Sequence, residues 1–208
     1  MKTQTAIQTL ILFASFLLAT TISYSQRFDV GVQTGLTRSY LQYGEAYQSE
    51  KVSRLRLSAV LEYNPSARWS WETGFGYIGR GGGDFNDNIP LFTGSTEYQI
   101  RTDYLNVFIL PKFHFIKEAK LRPFIALGSN FAYGIGAKDK DRGDTLKFRD
   151  KFDLVLMAVG GLKFKISENT TLEFQGGYER ATSKALRVVS NGQFNTAHFF
   201  ALSYKQKL

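Results

Sequence analysis

The chain has 208 residues, 26 Lys and Arg against 18 Asp and Glu, a formal charge of +8 and no cysteine. Without cysteine it cannot rest on disulfides, so burial and a complete hydrogen-bond ladder must hold it. After the N-terminal segment no run of about 18 apolar residues occurs, which excludes a transmembrane helix there, and the basic charges are scattered along the chain, which argues against nucleic-acid binding.

Residues 1–25 read as a secretory leader. Lys2 gives a short positive start, Leu10 to Ala19 an apolar core, and Ser23-Tyr24-Ser25 small residues at the cleavage site. Cleavage before Gln26 leaves residues 26–208 as one domain.

Eight segments of period-two alternation follow, the period of strands and not helices. In the first, about 27–37, Phe28, Val30, Val32, Thr34 and Leu36 oppose Asp29, Gly31, Gln33 and Gly35. In the second, about 53–63, Leu55, Leu57, Ala59, Leu61 and Tyr63 oppose Arg54, Arg56, Ser58 and Glu62. The third, about 68–79, sets Trp69, Trp71, Thr73, Phe75 and Tyr77 against Ser70, Glu72, Gly74 and Gly76. The fourth, about 96–115, slips in phase. Tyr98, Ile100, Thr102 and Tyr104 share its apolar face, then Leu105, Val107, Ile109 and Phe113 take over. A β-bulge near Tyr104-Leu105 is expected, with Arg101 and Asp103 on the polar face. Pro111, which cannot donate to a ladder, marks a strand end or a second irregularity.

The fifth segment, about 122–136, alternates Ile125, Leu127, Phe131, Tyr133 and Ile135 with Ala126, Gly128, Asn130, Ala132, Gly134 and Gly136. The sixth, about 151–166, opposes Leu154, Leu156, Ala158, Leu162, Phe164 and Ile166 to Asp153, Lys163 and Lys165. The seventh, about 171–180, opposes Leu172, Phe174 and Tyr178 to Glu173, Gln175 and Glu179. The eighth, about 194–205, exposes Phe200, Leu202 and Tyr204.

The gaps between these segments alternate long and short. The short ones are Asn64-Pro65-Ser66-Ala67, Lys117-Glu118-Ala119-Lys120 and Ser167-Glu168-Asn169-Thr170. That pattern predicts an all-β, eight-stranded antiparallel up-and-down barrel crossing a bacterial outer membrane. Three features separate it from a soluble barrel. Large aromatics sit near the strand ends of the apolar face, charges of both signs occupy mid-strand positions of the polar face, and the gap lengths alternate throughout. The expected location is the outer membrane with both termini periplasmic. The scattered basic residues then suit contact with outer-membrane lipid and lipopolysaccharide phosphates, or simple loop solvation.

The run Tyr104-Leu105-Asn106-Val107-Phe108-Ile109-Leu110-Pro111-Lys112-Phe113-His114-Phe115, followed by Arg122-Pro123-Phe124-Ile125-Ala126-Leu127-Gly128, resembles the central hairpin of the small outer-membrane β-barrel family that includes PorT-like proteins. Lys151-Phe152-Asp153 and Gly160-Gly161-Leu162-Lys163-Phe164 resemble that family's sixth strand. Phe108 stands where the family commonly has proline, with Pro111 three residues later. The resemblance implies the fold and an outer-membrane location, and for some relatives an accessory role in secretion. It carries no catalytic residues.

An eight-stranded interior is just wide enough to be filled by side chains. Arg54, Arg56, Glu62, Glu72, Arg101, Asp103, Asp153, Lys163, Lys165, Glu173 and Glu179 are expected there as a structural polar network. A gated ion path is the functional alternative. Hydrolysis would need a nucleophile beside a histidine and an orienting acid. His114 and His198 are the only histidines, and neither has a serine two residues away, so no enzyme, cofactor or metal site is expected. Arg142-Gly143-Asp144 and its neighbouring aspartates are too short a match for an adhesive or calcium loop. Arg80-Gly81-Gly82-Gly83 lacks the Gly-Lys-Ser/Thr of a phosphate cradle. The expected function is a monomeric structural or accessory barrel with an envelope protein partner; a small pore or solute transporter is the alternative, and a lipid A-modifying enzyme the third.

Overall fold

The computed structural model describes residues 27–43, 47–83, 99–139, 145, 148, 151–182 and 193–208. The expected leader, the Arg142-Gly143-Asp144 triplet and Tyr98 lie outside the described residues.

Eight long strands run in chain order: β1 (Phe28–Tyr43), β2 (Val52–Tyr63), β3 (Trp69–Gly82), β4 (Ile100–His114), β5 (Leu121–Asp139), β6 (Phe152–Lys165), β7 (Thr170–Ala181) and β8 (Gln193–Lys207). Each pairs antiparallel with the next, and β1 pairs with β8 from Asp29↔Lys207 to Tyr43↔Gln193, closing the sheet. A two-residue strand, Tyr47–Gln48, folds back on the far end of β1. Closure removes the open edge that hydrocarbon would not tolerate.

The register fixes the width. A row of paired residues from Gln33 through Ser58, Gly76, Asn106 and Ala132 reaches Asp153 on β6. Taken the other way, through Ser203 and Glu173, it reaches Lys163. These ends lie ten residues apart on β6, a shear of 10. Eight strands with that shear tilt by about 40° and leave room for side chains only.

The faces are inverted relative to a soluble protein. Leu127 and Phe200 stand outside at 70% and 74% exposure, while Glu62, Glu72, Glu173 and Glu179 are fully buried inside. At one end the connections are tight, over 64–68, 115–120 and 166–169. Both strand termini lie there too: the Lys207 N–H donates to the Asn169 carbonyl at 2.8 Å and the Leu208 N–H to the Phe28 carbonyl at 2.9 Å.

The fourth strand corrects the expectation. The bulge falls on β5, not β4: Asp103 pairs with Gly136 and Tyr104 with Gly134, so Ile135 is the extra residue. β4 keeps one phase from Ile100 to His114 with its even-numbered residues buried. Ile100, Thr102 and Tyr104 therefore face inward, and Arg101 and Asp103 outward. The physical reason is height. At the long-loop end the wall rises past the apolar belt, its outer face meets water, and its interior packs apolar groups such as Leu41, Ile78 and Ile100. Apolar character marks the lipid side only within the hydrocarbon span.

Candidate functional site

The interior is built in three layers. Nearest the tight turns is a layer of ion pairs. Glu62 on β2 and Glu72 on β3 sit directly opposite one another, a like-charge pairing that destabilises unless a cation intervenes. The Lys205 ammonium of β8 does so. It donates to Glu62 Oε2 at 2.7 Å, to Glu173 Oε2 at 2.9 Å and to Glu72. Lys112 Nζ of β4 donates to Glu72 Oε2 at 2.7 Å and to Glu173, and lies 4.6 Å from the Phe124 ring centre. Lys163 Nζ of β6 donates to Asp29 Oδ2 at 2.9 Å and Glu62 Oε2 at 3.0 Å. Carboxylate oxygens of Glu62, Glu72 and Glu173 converge within 4.8 Å, as a metal ion would require. Lys205 holds the place such an ion would take. Alternation of sign offsets the cost of burying these charges.

The middle layer is mostly apolar: Val60, Phe108, Leu110, Phe124, Ala126, Met157, Val159, Phe199 and Ala201 form one buried cluster, beside the buried Ser58 and Gln175 and a Gln33 Nε2 that donates to Ser203 Oγ at 3.2 Å. Its rings fit over inward glycines. A Cβ on Gly74 would come within 2.5 Å of the Phe108 ring, one on Gly161 within 2.5 Å of Phe124, and one on Gly177 within 2.7 Å of Phe199. The glycines supply the depth that lets three large rings cross a narrow lumen.

The upper layer is polar again. Arg56 Nη1 and Arg80 Nη2 donate to the two oxygens of Glu179 at 3.0 and 2.7 Å. Arg80 also lies 3.9 Å from Asp153. The Arg56 guanidinium stacks 4.0 Å from the Phe199 ring centre, tying this layer to the apolar one. Asn195 Nδ2 donates to the Tyr104 hydroxyl at 3.1 Å.

Of the expected network, Glu62, Glu72, Lys163 and Glu173 meet in the lower layer, and Arg56, Asp153 and Glu179 in the upper. Lys165 has inward parity but is exposed at the mouth. Arg54, Arg101 and Asp103 are not lumen residues. Arg54 lies against Gly79 of β3. It donates to Asp103 Oδ1 and, at 3.2 Å, to the Tyr77 hydroxyl, in a partly buried cluster at the long-loop end. Arg101 donates to Gln99 Oε1 at 3.1 Å. The phase of β4 is what removes Arg101 and Asp103 from the interior.

Sequence reasoning missed Lys112, Lys205 and Arg80 as partners. Parity alone finds the lysines: Lys205 shares a face with Ser203 and Ala201, and Lys112 alternates with Ile109 and Phe113. The histidines also differ from their sequence neighbourhood. Pairing of β3 with β4 brings Ser70 Oγ to 3.0 Å from His114 Nε2, with Glu62 Oε1 4.0 Å from the same nitrogen. Nδ1 has no partner among the described residues. A serine–histidine–acid relay needs the acid on the other ring nitrogen, and this ring is fully buried. His198 is exposed on the outer wall, 5.3 Å from Tyr178.

A family model described as outer membrane protein beta-barrel domain matches residues 18–186. Among solved structures, the outer membrane protein OprG of Pseudomonas aeruginosa is similar at 10% identity, covering 88% of this chain and 97% of its own, with a TM-score of 0.57. Neisserial surface protein A is 11% identical over 86% of this chain and 97% of its own, with a TM-score of 0.49. Ail of Yersinia pestis is 14% identical over 88% of this chain and 99% of its own, with a TM-score of 0.45. No curated protein matches the sequence.

Proposed function

The chain belongs to the outer membrane protein β-barrel domain family, and from that premise we propose that it serves the outer membrane as a closed structural or accessory barrel, working through an envelope partner rather than as a pore or an enzyme. The observation that carries this reading is the apolar layer between two ion-pair layers. Three phenylalanine rings and six smaller apolar side chains stand there between the two ion-pair layers, beside Gln33, Ser58 and Gln175, and ions do not cross a dry apolar constriction readily.

Conductance is the test. The purified chain in a planar bilayer is expected to be silent, and Phe108→Ala with Phe199→Ala to give channel events. Steady conductance by the unaltered chain would overturn the reading. A narrow, partly hydrated path is the second reading. Asn106 and Asn130, both buried, have side-chain N and O atoms without partners among the described residues, which favours water in the upper half. Conduction sensitive to Asn106→Leu would support it.

Catalysis is not proposed. Ser70 and His114 are buried, and the acid approaches the wrong ring nitrogen for a relay. The tight turns and both termini are assigned to the periplasm and the long loops to the lipopolysaccharide face, since such barrels keep short turns inside. The chain has no cysteine, so Lys117→Cys reports the side cleanly: labelling of intact cells by an impermeant maleimide would reverse the assignment. A tag at Leu208 then identifies what co-purifies in near-equal amount.

A further inference from the structure

We propose that the mouth at the tight-turn end is a binding site for the phosphate of an anionic phospholipid headgroup. The 115–120 and 166–169 turns enclose a cavity of about 640 Å³ with Lys117, Lys120, Arg122 and Lys165 on its walls and only Glu118 and Glu168 to balance them. Lys163 forms part of its lining, but its charge is already met by Asp29 and Glu62. The wall cations differ. Among the described residues the ammonium groups of Lys117, Lys120 and Lys165 have no hydrogen-bond or ion-pair partner, a concentration of unneutralised charge in a concave site.

Arg122 is held in place. Its Nε donates to the Ile116 carbonyl at 3.3 Å and its Nη2 to the Ala67 carbonyl. The guanidinium thus bridges two turns with its remaining nitrogen uncommitted, a fixed donor of the kind that suits phosphate oxygens. Height chooses the source of the phosphate. Ile166 lines the cavity, and Phe115, Ile116 and Leu121 flank its 117–120 wall in the chain; all four are about half exposed. They mark the lower limit of the apolar belt, so the mouth opens at headgroup level, where juxtamembrane lysines attract anionic lipid.

The test uses the full chain in nanodiscs of phosphatidylcholine mixed with phosphatidylglycerol, with native mass spectrometry counting the lipids retained. The unaltered chain is expected to retain phosphatidylglycerol preferentially. The Lys117→Gln/Lys120→Gln/Lys165→Gln variant should lose that preference, by about fivefold per lysine. A variant of equal charge at the other end, Arg38→Gln/Lys138→Gln/Arg180→Gln, should keep it; all three of these residues are exposed. The mouth positions are exposed turn or strand-end residues, and a difference in migration between the unheated and heated protein verifies folding of both variants. Equal retention by the mouth variant, or equal loss in the distal one, would overturn the proposal. Stabilisation of the detergent-solubilised chain by inorganic phosphate alone would also overturn it, assigning the site to a soluble anion.

Discussion

Lys205 shows how much one side chain can carry in a lumen. Its ammonium separates Glu62, Glu72 and Glu173, whose oxygens converge within 4.8 Å. Lys205→Met leaves three buried carboxylates facing one another with only Lys112 and Lys163 at their edges. Breaking a buried network on one side costs about 3–5 kcal/mol, and urea unfolding in detergent should register that loss. Lys205→Met combined with Glu72→Gln should recover part of it, because Lys112 keeps Glu173 and Lys163 keeps Glu62 and Asp29. The residue was legible in the sequence as parity: it stands on the face of Ser203 and Ala201. Its three partners were not legible, because they come from β2, β3 and β7, which only closure of the sheet brings together.

At the scale of strands, the two faces make separate demands. On the outer face, Leu156 of β6 lies between Ser129 and Arg180 near the long-loop end, whereas Phe174 of β7 is 57% exposed between Leu162 and Leu202. Phe174→Arg should cost about 2–4 kcal/mol near mid-membrane, and an unchanged unfolding midpoint in lipid would reverse the in/out assignment. On the inner face, Gly74, Gly161 and Gly177 make room for phenylalanine rings. Gly177→Val should displace Phe199 and cost about 1–3 kcal/mol, whereas Gly160→Ala, whose Cβ would meet nothing nearer than 3.9 Å, should be close to neutral. The same unfolding titration distinguishes them. Alternation in β1 to β3 and β5 to β8 was readable where one face meets lipid and the other a packed lumen, and was lost at the long-loop ends, at Arg54 of β2 and Gly136 of β5. It failed in β4, where the wall leaves the lipid and Tyr104 turns inward beneath Arg80. A pattern that encodes contact with hydrocarbon has no meaning above the hydrocarbon.

For the whole molecule, closure is the condition of stability. β8 pairs with both β7 and β1, so ending the chain before Gln193 would expose two ladders at once. Truncation there should abolish folding into lipid outright rather than lower stability, because unpaired backbone groups in hydrocarbon each cost several kcal/mol. The unheated protein should then migrate as the unfolded chain does. Removing the long-loop residues between β7 and β8 while joining the strands should spare it.

The amino-acid sequence by itself determined the class of fold, the number of strands, the side of each strand that meets lipid, and the tight turns. These depend on local alternation and on turn chemistry, which neighbouring residues express. The tertiary structure alone decided the shear of the closed sheet, the position of the bulge on β5, the pairing of Lys205 and Lys112 with glutamates from distant strands, and the apolar cluster between the two ion-pair layers. Each of these depends on which residues share a height inside the barrel. Height follows from register and tilt, and those are properties of the closed sheet rather than of any one segment.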